Sequence, residues 1–291
     1  MKNQIFLSLF SLLVVKTSAQ CDHSCCNMPS CDMSSSSAPS STAAFASLGS
    51  DINFQNAHES PLPLYYVAMG RMITFPTPDG KTGSAYFVPA KKQTKNYLFV
   101  FHEYWGLNDW IRKEADMFAD SIPNVNVIAL DLYDGKSATA SDEAVKLMQG
   151  MDQTRAQNII KGAVSFVGKD AKIATIGWCF GGGWSMQAAL IAGNELNGCV
   201  MFYGMPESDV NKLKTLNSDV LFIWANKDQW INQKVKDDFV ANMKTADKKL
   251  TVKEYPADHA FANPSNPHYD KTSGDDATKN ALAYLRNHFA S

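Results

Sequence analysis

The segment Gly177-Trp178-Cys179-Phe180-Gly181-Gly182-Gly183 carries the residue types that covalent chemistry would use. A nucleophile held on a sharp turn between strand and helix leaves no room for side chains two residues to either side, so glycine at 177 and 181 has a steric reason. The consecutive glycines would each cost about 1 kcal/mol against alanine inside a helix, a cost that close backbone approach explains and a bland loop does not. The turn sets Cys179 at a helix N-terminus, where unpaired N–H groups and the helix dipole favour an anion and lower a thiol pKa. Cys199, inside an apolar run, reads instead as a core residue.

A thiol nucleophile needs a base, and the base needs a group that fixes its tautomer. On such turns the chain order is nucleophile, acid, histidine. Downstream of Cys179 stand His259, His268 and His288. His259 follows the last strand-like run and precedes the C-terminal helical stretch, so a loop can bring it to the strand ends; His268 lies in a Pro- and Asn-rich loop and His288 in the terminal helix. Asp228, at the exit of the run 220–224, is the expected acid. Asp258 competes, but neighbours on a loop usually point apart. The stretch Phe101-His102-Glu103-Tyr104-Trp105-Gly106 follows another strand-like run, and its Tyr104 N–H, with that of Phe180, forms the expected oxyanion pair. His102 precedes the nucleophile and reads as a supporting or core residue. Ser185 is a weaker nucleophile candidate because it lacks the second flanking glycine.

These groups need elements to position them. Apolar runs of strand length fall at 97–101, 125–130, 172–177, 198–203, 220–224 and 250–255. Amphipathic stretches of helical period alternate with them at 110–121, 142–149, 154–167, 184–192, 233–245 and 275–289. The alternation predicts an α/β fold with a mostly parallel central sheet and helices on both faces. Ahead of it, 71–75 and 84–88 flank Pro78-Asp79-Gly80 and predict an antiparallel edge hairpin.

The net charge of -2, from 27 basic and 29 acidic side chains without a long run of either sign, argues against nucleic acid as a partner. Residues 1–20 have the layout of a secretory signal peptide: Lys2, an apolar stretch at 5–15, then Thr17-Ser18-Ala19-Gln20. The apolar stretch is shorter than the ~20 residues a spanning helix needs, so no stable membrane insertion is expected, and the product should be secreted or periplasmic. Cys21 after the expected cleavage point raises a lipid-anchor reading, against which Gln20 stands.

Cys21, Cys25, Cys26 and Cys31 cluster near the N-terminus. An oxidising compartment favours disulfides among them, although with His23 and Met28 they could also offer soft ligands to a metal. Residues 34–50 are nearly all Ser, Ala, Pro and Thr and read as a tether. The expected organisation is thus a flexible N-terminal segment at 21–62 and a folded domain at 63–291.

With these residues assembled, the chain resembles the dienelactone hydrolases, or carboxymethylenebutenolidases, of the α/β-hydrolase superfamily. Glu103 with its aromatic and glycine followers, Asp131-Leu132-Tyr133, the cysteine turn, Asp228 and Asp258-His259-Ala260-Phe261 carry the resemblance, which spans about 65–289. It implies hydrolysis of a small ester or lactone through Cys179, His259 and Asp228, by way of a thioester and without cofactor or metal, in a monomer. It also implies that Glu103 contacts the resting thiol and accepts its proton when substrate binds. Family members that cleave the dienelactone carry an arginine four residues after the histidine, where this chain has Asn263. Arg155 is the other arginine considered for a substrate carboxylate. The reading from a different class is a secreted thiol redox or metal-binding module on an inactive hydrolase fold.

Overall fold

In the computed structural model, residues 39–290 are described; the expected signal peptide and the cysteine cluster lie outside them. The strands are β1 (Arg71–Pro76), β2 (Thr82–Val88), β3 (Asn96–Phe101), β4 (Asn126–Leu130), β5 (Lys172–Trp178), β6 (Leu196–Phe202), β7 (Val220–Ala225) and β8 (Leu250–Tyr255). They form one 8-stranded sheet in the order β1-β2-β4-β3-β5-β6-β7-β8. β1 and β2 form the expected hairpin, and β2 joins the body antiparallel to β4. All later pairings are parallel.

Every residue of β4 and β7 is buried. An uninterrupted apolar run of that kind needs cover on both faces, which parallel crossovers supply. The helices are α1 (Ser41–Ser47), α2 (Ile52–Asn56), α3 (Asp109–Ser121), α4 (Ser141–Gly150), α5 (Gln153–Val167), α6 (Phe180–Ala192), α7 (Val210–Leu213), α8 (Gln233–Thr245) and α9 (Lys271–Ala290). Asn108, Asp152 and Asn232 begin α3, α5 and α8 by accepting first-turn backbone N–H groups on their side chains. No helix among the described residues is long and apolar enough to cross a membrane.

Residues 39–62 depart from the expected flexible segment at 21–62. α1 and α2 bury Phe45 and Phe54. Their polar neighbours dock as well: Thr42 Oγ1 donates to Gln153 Oε1 at 2.6 Å, Gln187 Nε2 to Ser41 Oγ at 3.1 Å, and Trp230 Nε1 to Asp51 Oδ2 at 3.0 Å. The Ser/Ala-rich composition hid a few aromatic anchors, each able to stabilise by about 1.5–3 kcal/mol on burial and so to offset the ordering entropy. The compact unit therefore starts at Pro39 and not near 63.

Arg155 has no free valence for a ligand. Its guanidinium meets Asp134 Oδ1 at 2.6 Å, Thr82 O at 2.7 Å, Thr77 Oγ1 at 2.8 Å and Asp79 at 3.2 Å. It pins the hairpin turn to the start of α5.

Candidate active site

Cys179 occupies the turn between β5 and α6 with φ 57° and ψ -120°, a conformation that costs a residue bearing a side chain about 1–3 kcal/mol. The flanking glycines make the turn possible. A Cβ on Gly177 would stand 2.1 Å from Gly181 O, and one on Gly181 would stand 2.3 Å from Phe101 O. The turn thus packs directly on the end of β3, whose following loop carries Glu103 and Tyr104.

His259 and Asp228 come from the loops after β8 and β7. His259 Nδ1 lies 2.6 Å from Asp228 Oδ2. Oδ1 of the same carboxylate accepts the N–H groups of Trp230 and Ile231, each at 2.9 Å. One oxygen is therefore fixed by backbone and the other faces the imidazole, which puts the ring proton on Nδ1 and leaves a lone pair on Nε2. That Nε2 is buried without a hydrogen-bond partner among the described residues. Asp258, the competing acid, is exposed.

A second imidazole, which sequence reasoning missed, reaches the sulfur. His58 follows α2, and its Nε2 lies 3.7 Å from Cys179 Sγ. Its Nδ1 is 2.6 Å from Phe54 O and donates to that carbonyl, so Nε2 faces the thiol as acceptor. Burial, and next the neighbouring His259, hold His58 down at about 3. Cys179 Sγ and a ring nitrogen from each of His58 and His259 all lie within 4.8 Å of one another. Phe45 and Phe54, which α1 and α2 bury, were the hint that the segment ahead of His58 folds, but they do not say where it docks.

The thiol itself departs from expectation. Burial pushes Cys179 well above its ordinary value, the Glu103 carboxyl adds to this, and the Phe180 N–H opposes it. The helix start acts in the predicted direction, but desolvation of the fully buried sulfur outweighs it.

Glu103 is buried, and its carboxyl is pushed up to about 8, first by burial and then by Glu114, against a lowering hydrogen bond from Asn263. Asn263 Nδ2 donates to Glu103 Oε2, and Asn263 Oδ1 accepts from Ser265 N at 2.8 Å and Ser265 Oγ at 2.7 Å. The residue standing where an arginine was looked for is thus a clamp on Glu103. In this resting arrangement the hydrogen-bond contact of the sulfur is to His58 and that of Glu103 is to Asn263, not the direct pair that the resemblance implies. Tyr104, on the same loop, donates its hydroxyl to His58 O at 3.3 Å.

The remaining candidates fall outside the cluster. His102 Nδ1 faces Glu103 O at 2.6 Å while its Nε2 accepts the Leu132 N–H at 3.2 Å, a saturated core residue. Ser185 is buried and spends its hydroxyl on Thr175 Oγ1 and Val200 O, each at 2.9 Å. Cys199 is a buried free thiol in β6. His288 pairs with Asp219 at 2.7 Å and His268 lies beside Glu59 at 3.5 Å.

Comparison with known proteins bears on the family and the fold. The dienelactone hydrolase family model matches residues 84–289. "Protein usf" of Aquifex pyrophilus is 28% identical over 231 residues, covering 75% of this chain and 98% of that protein. A putative carboxymethylenebutenolidase of Aquifex aeolicus is 29% identical over 210 residues, covering 67% and 88%. Among solved structures, a putative dienelactone hydrolase from Klebsiella pneumoniae superposes with a TM-score of 0.65 at 21% identity, over 76% of this chain and 99% of that one. With a family match over most of its length, an α/β-hydrolase sheet and a cysteine on the glycine-flanked turn, the chain belongs to the dienelactone hydrolase family.

Proposed function

We propose that this hydrolase of esters or lactones works through a Cys179, His259 and Asp228 triad and a thioester acyl-enzyme. The observation that carries the reading is the 2.6 Å contact of His259 with Asp228, with the opposite ring nitrogen buried and unpartnered. Cys179 Sγ attacks the carbonyl carbon while its proton passes to His259 Nε2. The N–H groups of Tyr104 and Phe180 are proposed to take the developing oxyanion. Collapse expels the alkoxide, which takes the proton from His259 and leaves an acyl group on sulfur. Water then attacks the thioester with His259 as base, releasing the acid and restoring the thiol.

The role proposed for Glu103 is an auxiliary proton acceptor. With its carboxyl pushed up to about 8 by burial, Glu103 is a stronger base than an ordinary carboxylate in its ionised form, the form that would take the thiol proton when substrate displaces the resting contacts. The proposed substrates are small esters or lactones without an obligatory carboxylate. Asn263 offers no cation, and Arg155 is fully engaged by Asp79, Asp134 and Thr82. Export is proposed from the leader at 1–20 and is checked by N-terminal sequencing of the processed product.

The test is a panel of p-nitrophenyl esters and lactones with intact-mass detection of an acyl adduct on Cys179. Turnover with a trapped acyl group on that residue is expected. Unchanged turnover in Cys179→Ala would sink the reading.

A further inference from the structure

Hydrolysis asks for one imidazole at the sulfur, and this chain brings two. We propose that His58, Cys179 and His259 form a buried site for a thiophilic d10 cation, with Zn2+ as the test ion, and that its occupancy blocks hydrolysis.

The donor set is one that such ions take in three-ligand sites, where thiolate and imidazole sit at about 2.3 and 2.0–2.1 Å. Tetrahedral geometry then sets the sulfur about 3.6 Å from each nitrogen and the nitrogens about 3.3 Å apart. Cys179 Sγ and His58 Nε2 already stand 3.7 Å apart. The other separations are within 4.8 Å, so side-chain shifts of about 1 Å complete the set. The His259 nitrogen aimed into the cluster is buried and has no partner, which is an open ligand position.

The outer contacts match as well. Metal-bound imidazoles commonly donate their other N–H to a carboxylate or a backbone carbonyl. His259 Nδ1 faces Asp228 Oδ2 and His58 Nδ1 faces Phe54 O, each at 2.6 Å. Both rings are therefore held with the remaining nitrogen free to ligate. A cavity of about 200 Å³ bordered by Ala57, Lys227 and Trp230 is lined by His259 as well, so an ion and a fourth, water ligand would come from that side after side chains shift. On binding, the S–H bond breaks, its proton leaves to solvent and a metal–sulfur bond forms, so affinity rises with pH. The site rests on donor geometry and not on the triad reading, because affinity and metal-free turnover are separate measurements.

The test uses the full chain carrying C21S, C25S, C26S and C31S, so that thiols outside the site cannot compete. Co2+ titration is expected to give a near-ultraviolet sulfur-to-metal charge-transfer band that Zn2+ abolishes by displacement. That band should vanish in C179S, and H58Q should weaken Zn2+ binding by about tenfold or more. Zn2+ should inhibit ester turnover with a half-saturation equal to its binding constant. Absence of the band, its survival in C179S, or equal affinity in a folded H58Q would overturn the proposal. If H58Q does not fold, the C179S spectrum decides alone.

Discussion

The rings of His58 and His259 stand 5.2 Å apart, centroid to centroid, and the carboxylate of Asp228 bonds only the second. This asymmetry separates the proposed base, His259, from its neighbour. Asp228→Asn should keep the fold and cut kcat by about 10⁴-fold, because the amide no longer holds the imidazole in the required tautomer or stabilises its charged form. Steady-state hydrolysis of p-nitrophenyl acetate checks this, and a loss below tenfold would assign the base elsewhere.

Two buried groups set opposite pH slopes on stability. Glu103 is raised from 4.5 to about 8 in the folded chain. The unfolded chain therefore sheds this proton first, and the stabilisation is present below 4.5 and lost as pH rises through 8. His58 is lowered from 6.5 to about 3. Its contribution is complete above 6.5 and disappears as pH falls towards 3. Melting curves across pH should show E103Q losing the alkaline decline and H58Q losing the acid one. Parallel curves for E103Q and wild type from pH 5 to 9 would contradict the burial argument.

Gly181 and Gly150 make a matched pair. A Cβ on Gly181 meets Phe101 O at 2.3 Å and His102 O at 2.5 Å, both backbone atoms, whereas nothing stands within 4 Å of a Cβ on Gly150. G181A should cost about 3 kcal/mol or prevent folding. G150A, at a helix end, should be neutral or stabilise by up to about 1 kcal/mol. Urea denaturation reads both values.

Arg155→Lys keeps the charge and removes the fork that grips Asp134 while reaching Thr77 and Thr82 O. Exposure of Asp134 limits the loss to about 2 kcal/mol. The expected result is a lower melting temperature with an unchanged KM. An altered KM would mean that Arg155 does reach substrate.

The cover over the sulfur is also measurable. Cys179 is wholly inaccessible, and Phe54 packs 4.1 Å from the His58 ring and 6.1 Å from that of His259. Beside Glu103 the cavity is about 20 Å³, enough for about one water and not for an ester. Admission of substrate therefore requires side chains around the site to move. Phe54→Ala should destabilise by about 3–5 kcal/mol and speed alkylation of Cys179 by iodoacetamide, followed by peptide mass mapping. An unchanged alkylation rate would mean that access runs elsewhere.

The alternation of β3 to β8 with α3 to α6, α8 and α9 was legible because period and composition are local properties, and their expected boundaries lie within a few residues of those observed; the one-turn α7 was not expected. Cys179 was legible in part for a similar reason, since Gly177 encodes a clash with Gly181 O that the turn itself creates, although Gly181 answers to the distant Phe101 and His102 carbonyls. His58 was not. Its meeting with Cys179 spans 121 residues and depends on where α2 lands, a matter of packing that no nearby pattern records. The Asn263 bond to Glu103, across 160 residues, is of the same kind. The direction of the thiol shift was misjudged because the dipole is visible in a motif, while burial is a property of the finished core.

Cys179 and His259, the proposed nucleophile and base, are separated along the chain by β6, β7 and β8. During translation the cysteine therefore emerges well ahead of His259, and a ribosome-bound intermediate has no imidazole backed by Asp228 at its sulfur. The complete cluster therefore exists only once the last strand has joined the sheet and its following loop has brought His259 to Asp228.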